Sequence, residues 1–223
     1  MTTDKQLLNQ IKNDIEEFFR KEQSLIFNEY ELQHRLASFL EQSLRRYDKV
    51  WYEYFASDDC KDRTDLIVEK EGKFVAIELK YKRKDITTPY NPISKNNKKH
   101  VLLPGQSAQT KLRGKFIEDV RRIVNLAKDA TNNIIGGFAV ILSNDPNFWE
   151  SKKNITNSIG NKDYLPEDLP QSRLTWTKAN ITMPSQVTFE TKQPTEFRYC
   201  MVCCERNYTP DKRSSLLTYI PEK

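Results

Sequence analysis

The stretch from residue 64 to residue 81 limits the fold more than any other part of the chain. Residues 64–69 and 73–81 flank the turn-like Glu71-Gly72, and together they predict a β-hairpin. A symmetric turn at Glu71-Gly72 makes paired positions sum to 143, and widening the turn symmetrically leaves that register unchanged. Lys70 then faces Lys73, Val68 faces Val75, Leu66 faces Ile77 and Asp65 faces Glu78. Strand side chains alternate, so one face carries Leu66, Val68, Val75, Ile77 and Leu79, an apolar set for a core. The other face carries Asp65, Ile67, Phe74, Ala76, Glu78 and Lys80. Like charges opposite each other on a sheet repel, so Asp65 and Glu78 require a cation between them or a raised pKa on one. Hard oxygen ligands of this kind suit Mg²⁺ or Mn²⁺, and a neighbouring lysine can assist an activated water or hold developing negative charge.

Around the hairpin the spacing is mostly helical. Leu8, Ile11, Ile15, Phe18 and Phe19 predict a first helix over residues 4–20. Leu32, Leu36, Phe39, Leu40 and Leu44 predict a second from Asn28, where Asn28 and Glu31 fit a capping box. Residues 51–55 are short and aromatic and predict a strand. Residues 82–104 form a polar, basic stretch, long for a connection in a compact domain. Helical spacing returns over residues 106–128, and residues 134–142 predict a buried strand. Prolines break residues 144–185 into loops with a strand near 174–177, and residues 187–191 and 197–204 predict closing strands. The expected architecture is a mixed α/β fold in a single domain of 223 residues, with its core at 28–142 and an elaboration over 144–223.

Scarcity excludes much of the familiar chemistry. Two histidines and six glycines leave no His-Glu-x-x-His helix, phosphate-cradling Gly-rich loop or Gly-x-Ser-x-Gly elbow. The chemistry is left to carboxylates, lysines and a metal. The longest apolar run, 134–142, is too short to span a bilayer. The first residues carry no charged-then-apolar signal, so the expectation is a cytoplasmic protein with no membrane partner. Its four cysteines then read as reduced thiols. Cys200 and Cys203 lack the second pair that a structural zinc needs, and alternation predicts that they are core thiols. A net charge of +5 permits nucleic-acid binding without requiring it.

Asp65, twelve intervening residues and then Glu78-Leu79-Lys80 resemble the motif of the PD-(D/E)XK nuclease superfamily. The superfamily core runs helix, three strands, helix, strand, the order read over residues 28–142, a little over half of the chain. One departure is that Thr64, not proline, precedes Asp65. The resemblance implies a restriction-endonuclease-like core with an extra N-terminal helix and a C-terminal strand extension. It implies Mg²⁺ or Mn²⁺ on Asp65 and Glu78, with the Leu79 carbonyl as a third ligand, and Lys80 as the catalytic lysine. Glu31 stands where many members place an acid on the preceding helix. The segment Leu142-Ser143-Asn144-Asp145 with Trp149, and the helix bearing Asp119 and Arg122, resemble an uncharacterised bacterial branch of the superfamily. The implied activity is metal-dependent hydrolysis of phosphodiester bonds, in DNA first, by an endonuclease or exonuclease. Many related enzymes act as homodimers. The alternative is a catalytically silent nucleic-acid-binding or interaction subunit on the same fold.

Other residues carry two readings each. Glu31 serves the helix cap or the metal site. His34, one turn on, faces the same cleft or the solvent. Lys82, Arg83, Lys84, Lys95, Lys98 and Lys99, set against the single acid Asp85, line a phosphate backbone or solubilise a loop; Lys111, Arg113 and Lys115 add to that side. Gln106 and Gln109 lie near the start of the third helix. Asp119 and Arg122, three residues apart, fit an ion pair on the helix surface.

Overall fold

The computed structural model describes residues 2–42, 46–55, 63–88, 100–105, 109–146, 175–182 and 196–205. Its elements follow as α1 (Asp4–Lys21), α2 (Glu29–Gln42), β1 (Lys49–Phe55), β2 (Arg63–Lys70), β3 (Lys73–Lys82), β4 (Ile86–Thr88), β5 (His100–Leu103), α3 (Gln109–Lys128), β6 (Ile134–Ser143), β7 (Trp176–Ala179) and β8 (Phe197–Glu205). The fold is mixed α/β. Six strands form one sheet in the order β1-β2-β3-β6-β8-β7, in which β3 and β6 are parallel and every other pair is antiparallel. The expected loop over 82–104 differs, because β4 and β5 pair within it as a separate two-stranded ribbon. The strand expected at 187–191 lies outside the described residues. No helix among the described residues is long and apolar enough to cross a membrane.

The hairpin has the register that its turn dictates, Lys70 with Lys73 through Leu66 with Ile77. Both turn residues have positive φ, 51° at Glu71 and 72° at Gly72, as a right-twisted two-residue hairpin requires. Glu71 is held there by its N–H donating to Asp48 Oδ2 at 2.6 Å, and its carboxylate accepts from the Thr2 N–H at 2.9 Å. A Cβ on Gly72 would meet nothing within 4 Å, so the cost of substitution there is conformational alone. Gly72→Ala is expected to lower stability by about 1 kcal/mol in urea unfolding, with an unchanged m-value.

The two faces of the hairpin pack as the alternation demands. Leu66, Val68, Val75, Ile77 and Leu79 join the core built by α1 and α2. Ile67 and Ala76 meet Phe116, Val120 and Ile123 of α3 on the opposite face. Close approach of α3 depends on Gly137, where a Cβ would stand 2.7 Å from Ile123 Cγ2 and 2.3 Å from the Ala76 carbonyl oxygen. A helix lying this low over the sheet brings its polar residues onto the hairpin's charged end.

Candidate functional site

The β2–β3 ladder stops at Leu66 and Ile77, one rung before the acids. Asp65 and Glu78 are therefore not opposed ladder partners, as the register alone predicts. Beyond that rung β2 stays with β1 as far as Arg63 opposite Phe55, while β3 stays with β6 as far as Lys82 opposite Ser143. The sheet forks, and parting relieves two carboxylates that would otherwise face each other. Parting also strands backbone donors, which require partners. The Leu79 N–H donates to Asp65 Oδ2 at 2.7 Å, and the Tyr81 N–H donates to Glu29 Oε2 at 3.0 Å. Gln33 donates from Nε2 to the Asp65 carbonyl at 2.6 Å, fixing α2 to the fork.

Glu78 lies at the floor of the fork with 1 % of its surface exposed. Arg122 Nη2 stands 2.6 Å from its Oε2, while Oε1 has no hydrogen-bond partner among the described residues. Burial and the neighbouring Asp65 push its pKa up to about 8, with Asp119 adding to the shift and Arg122 and Lys80 opposing it. Lys80 Nζ is 3.1 Å from Asp119 Oδ2 and 3.8 Å from Glu29 Oε1, and it donates to the Leu79 carbonyl at 2.9 Å. Burial pulls the Lys80 pKa down, but Asp119, Glu29 and Asp65 outweigh it and leave the pKa raised. Asp119 and Glu29 are both raised by burial, against the pull of Lys80. Arg122 also pairs with Asp119 at 2.8 Å. Four carboxyl groups thus share two cations in one partly enclosed cluster, an arrangement that attracts further positive charge.

The structure brings together Asp65, Glu78, Leu79 and Lys80. It places Glu31 elsewhere: Glu31 accepts the Phe27 N–H at 2.7 Å, pairs with Arg35 and receives the cap of Asn28. The α2 acid that reaches the fork is Glu29. Its signal was available, since Glu29 precedes Leu32 by three residues and Leu36 by seven, on the buried stripe, whereas Glu31 is turned off it. Asp119 likewise shares the stripe of Phe116 and Ile123, so the expected surface ion pair with Arg122 forms but faces inward. His34 is exposed and packs against Tyr30 and Tyr52.

Lys82 has the parity of Glu78 and Lys80 and is 1 % exposed, with burial lowering its pKa against Asp145; it presents no charge to a phosphate backbone. Arg83 Nη1 donates to the Phe27 carbonyl at 2.7 Å, and Lys84 is exposed. Lys95, Lys98, Lys99 and Gln106 lie outside the described residues, and so do the side chains of Gln109, Lys111 and Arg113. Cys200 and Cys203 point to opposite cores of the sheet, and burial pushes both thiols up to about 12.

Compared with family models, curated proteins and solved structures, the chain matches none.

Among the described residues no three His, Cys, Asp or Glu side chains form a group that could hold a metal ion by themselves. Mg²⁺ does not require such a cage, because it keeps several waters and uses one or two carboxylates together with substrate phosphates. Asp65 and the buried Oε1 of Glu78, which has no hydrogen-bond partner among the described residues, are the oxygens such an ion would use.

Proposed function

We propose that this chain is a metal-dependent nuclease on a restriction-endonuclease-like core, hydrolysing phosphodiester bonds, in DNA first. The observation that carries this reading is Glu78, a carboxyl group buried beside a second acid, with one oxygen lacking a partner among the described residues and a pKa pushed up to about 8. A fold gains nothing in stability from such a group, and costly acids of this kind concentrate at functional sites. Asp65 and Glu78 would hold Mg²⁺ or Mn²⁺, with the Leu79 carbonyl on the same rim. The ion would supply an activated water and stabilise charge on a phosphoryl oxygen. Lys80 brings a protonated amine to the cleft, oriented by Asp119, Glu29 and the Leu79 carbonyl. Glu29 is the helix acid, accepting the Tyr81 N–H with one oxygen and facing Lys80 with the other. Arg122 anchors Glu78 from above.

A catalytically silent subunit on the same fold is the second reading. The Arg122–Glu78 ion pair favours it, since an arginine there satisfies the acid without a metal. Calorimetric titration of Mg²⁺ and Mn²⁺ into the wild type and Asp65→Asn, beside cleavage of plasmid and single-stranded DNA, separates the two. The Asn variant keeps an oxygen for the Leu79 N–H and removes only the charge. Metal affinity weakened at least about tenfold in Asp65→Asn, with loss of EDTA-sensitive cleavage, supports the nuclease. A wild type that neither binds the ions nor cuts overturns it.

A further inference from the structure

Among the described residues, the large apolar side chains that stand exposed are all aromatic: Phe27 at 41 %, Tyr30 at 65 %, Tyr52 at 38 % and Tyr54 at 44 %. They gather beside the fork. On α2, Glu29 and Gln33 face the site, and the next residue after each, Tyr30 and His34, forms the adjoining stripe. The Tyr30 and His34 rings are 5.8 Å apart, and His34 is 5.4 Å from Tyr52 on β1, the edge strand of the sheet. Tyr54 sits opposite Thr64, the neighbour of Asp65. One cation stands beside the row, Arg83, whose Nη1 is fixed to the Phe27 carbonyl.

Exposed rings in a row, with Arg83 beside them and the proposed phosphodiester site adjoining, match the chemistry of unpaired bases on an anionic backbone. A duplex presents phosphates outward and keeps its base faces stacked, so it gives these rings nothing to bind. We infer that Tyr30, His34 and Tyr52 form a stacking platform for unpaired bases, so that the substrate of this site is a single strand or an unpaired segment. This inference rests on the nuclease reading for the location of the scissile phosphate. It rests on the rings for the substrate class.

The test uses the full chain in EDTA and fluorescence anisotropy with a labelled twelve-nucleotide oligothymidylate, an abasic oligomer of the same length and a blunt duplex. The oligothymidylate is expected to bind at least about tenfold more tightly than the abasic strand, and Tyr30→Ala and Tyr52→Ala to weaken it about tenfold each. Tyr30→Phe is expected to keep wild-type affinity. Equal binding of the thymidylate and abasic strands, no binding of either, or alanine variants that bind like the wild type would overturn the platform. Cleavage of the same oligothymidylate in Mg²⁺ is scored separately. Base-dependent binding without cutting leaves the platform standing and removes the nuclease, and cutting by a chain whose alanine variants bind normally does the reverse.

Discussion

Glu78→Gln is expected to stabilise the protein while abolishing metal-dependent cleavage. The native state holds the Glu78 proton up to about pH 8, whereas a carboxyl group in an unfolded chain releases it near its ordinary value of 4.5. Between those values the native state binds more protons than the unfolded state, so stability falls as pH rises through the window. The amide carries no such burden. Variant and wild type should unfold alike near pH 4.5 and separate progressively, by up to about 1.4 kcal/mol for each pH unit, until the gap levels off above pH 8. Each kcal/mol of that gap raises Tm by roughly 2–4 °C in a chain of this size. The pull of Arg122 already opposes this shift, and in the variant Arg122 keeps Asp119. Glu29 and Asp119 titrate in both proteins, so the difference isolates Glu78. Thermal melts across pH in EDTA check it, and a variant less stable than wild type at pH 8 would show Glu78 to be a structural ion-pair member.

Lys80→Ala is expected to act in the other direction on stability while also removing cleavage. Lys80 lies 3.1 Å from Asp119, and both side chains are largely enclosed. Deleting the cation leaves Asp119 with Arg122 alone, and breaking a buried pair from one side costs about 3 kcal/mol. Cleavage should fall at least about 100-fold, the scale seen when a preorganised donor is removed from a reacting centre. Loss of activity through unfolding would imitate this result, so the informative protein is the double variant. Lys80→Ala with Asp119→Asn should recover most of the stability and none of the activity. A double-mutant cycle that is additive in stability would show that the two residues are uncoupled.

The hairpin was legible because its register follows from one local turn, and its two faces follow from alternation. The same reasoning could not find the fork. Where the β2–β3 ladder ends depends on β1 holding β2 and β6 holding β3, and β6 lies more than fifty residues away in sequence. The family resemblance implies Glu31 as the helix acid and its spacing from Asn28 implies a cap, and the capping role is the one it fills. Asp119 and Arg122 fit a surface pair by spacing, yet Asp119 stands on an apolar stripe, where an acid needs a partner from another element. The pairing of β4 with β5 brings together segments eleven residues apart, and no short-range turn signal announces it.

The fork also bears on which strands this sheet could accept. Past Ile77, the side of β3 facing β2 has no strand along it among the described residues, and such an edge is a template for a strand from another molecule. Here the amides that an incoming strand would grip, at Leu79 and Tyr81, are already taken by Asp65 and Glu29. A second chain arriving at this edge meets two carboxyl groups in place of free donors. The acids at the fork thus occupy the donors that a further strand would need.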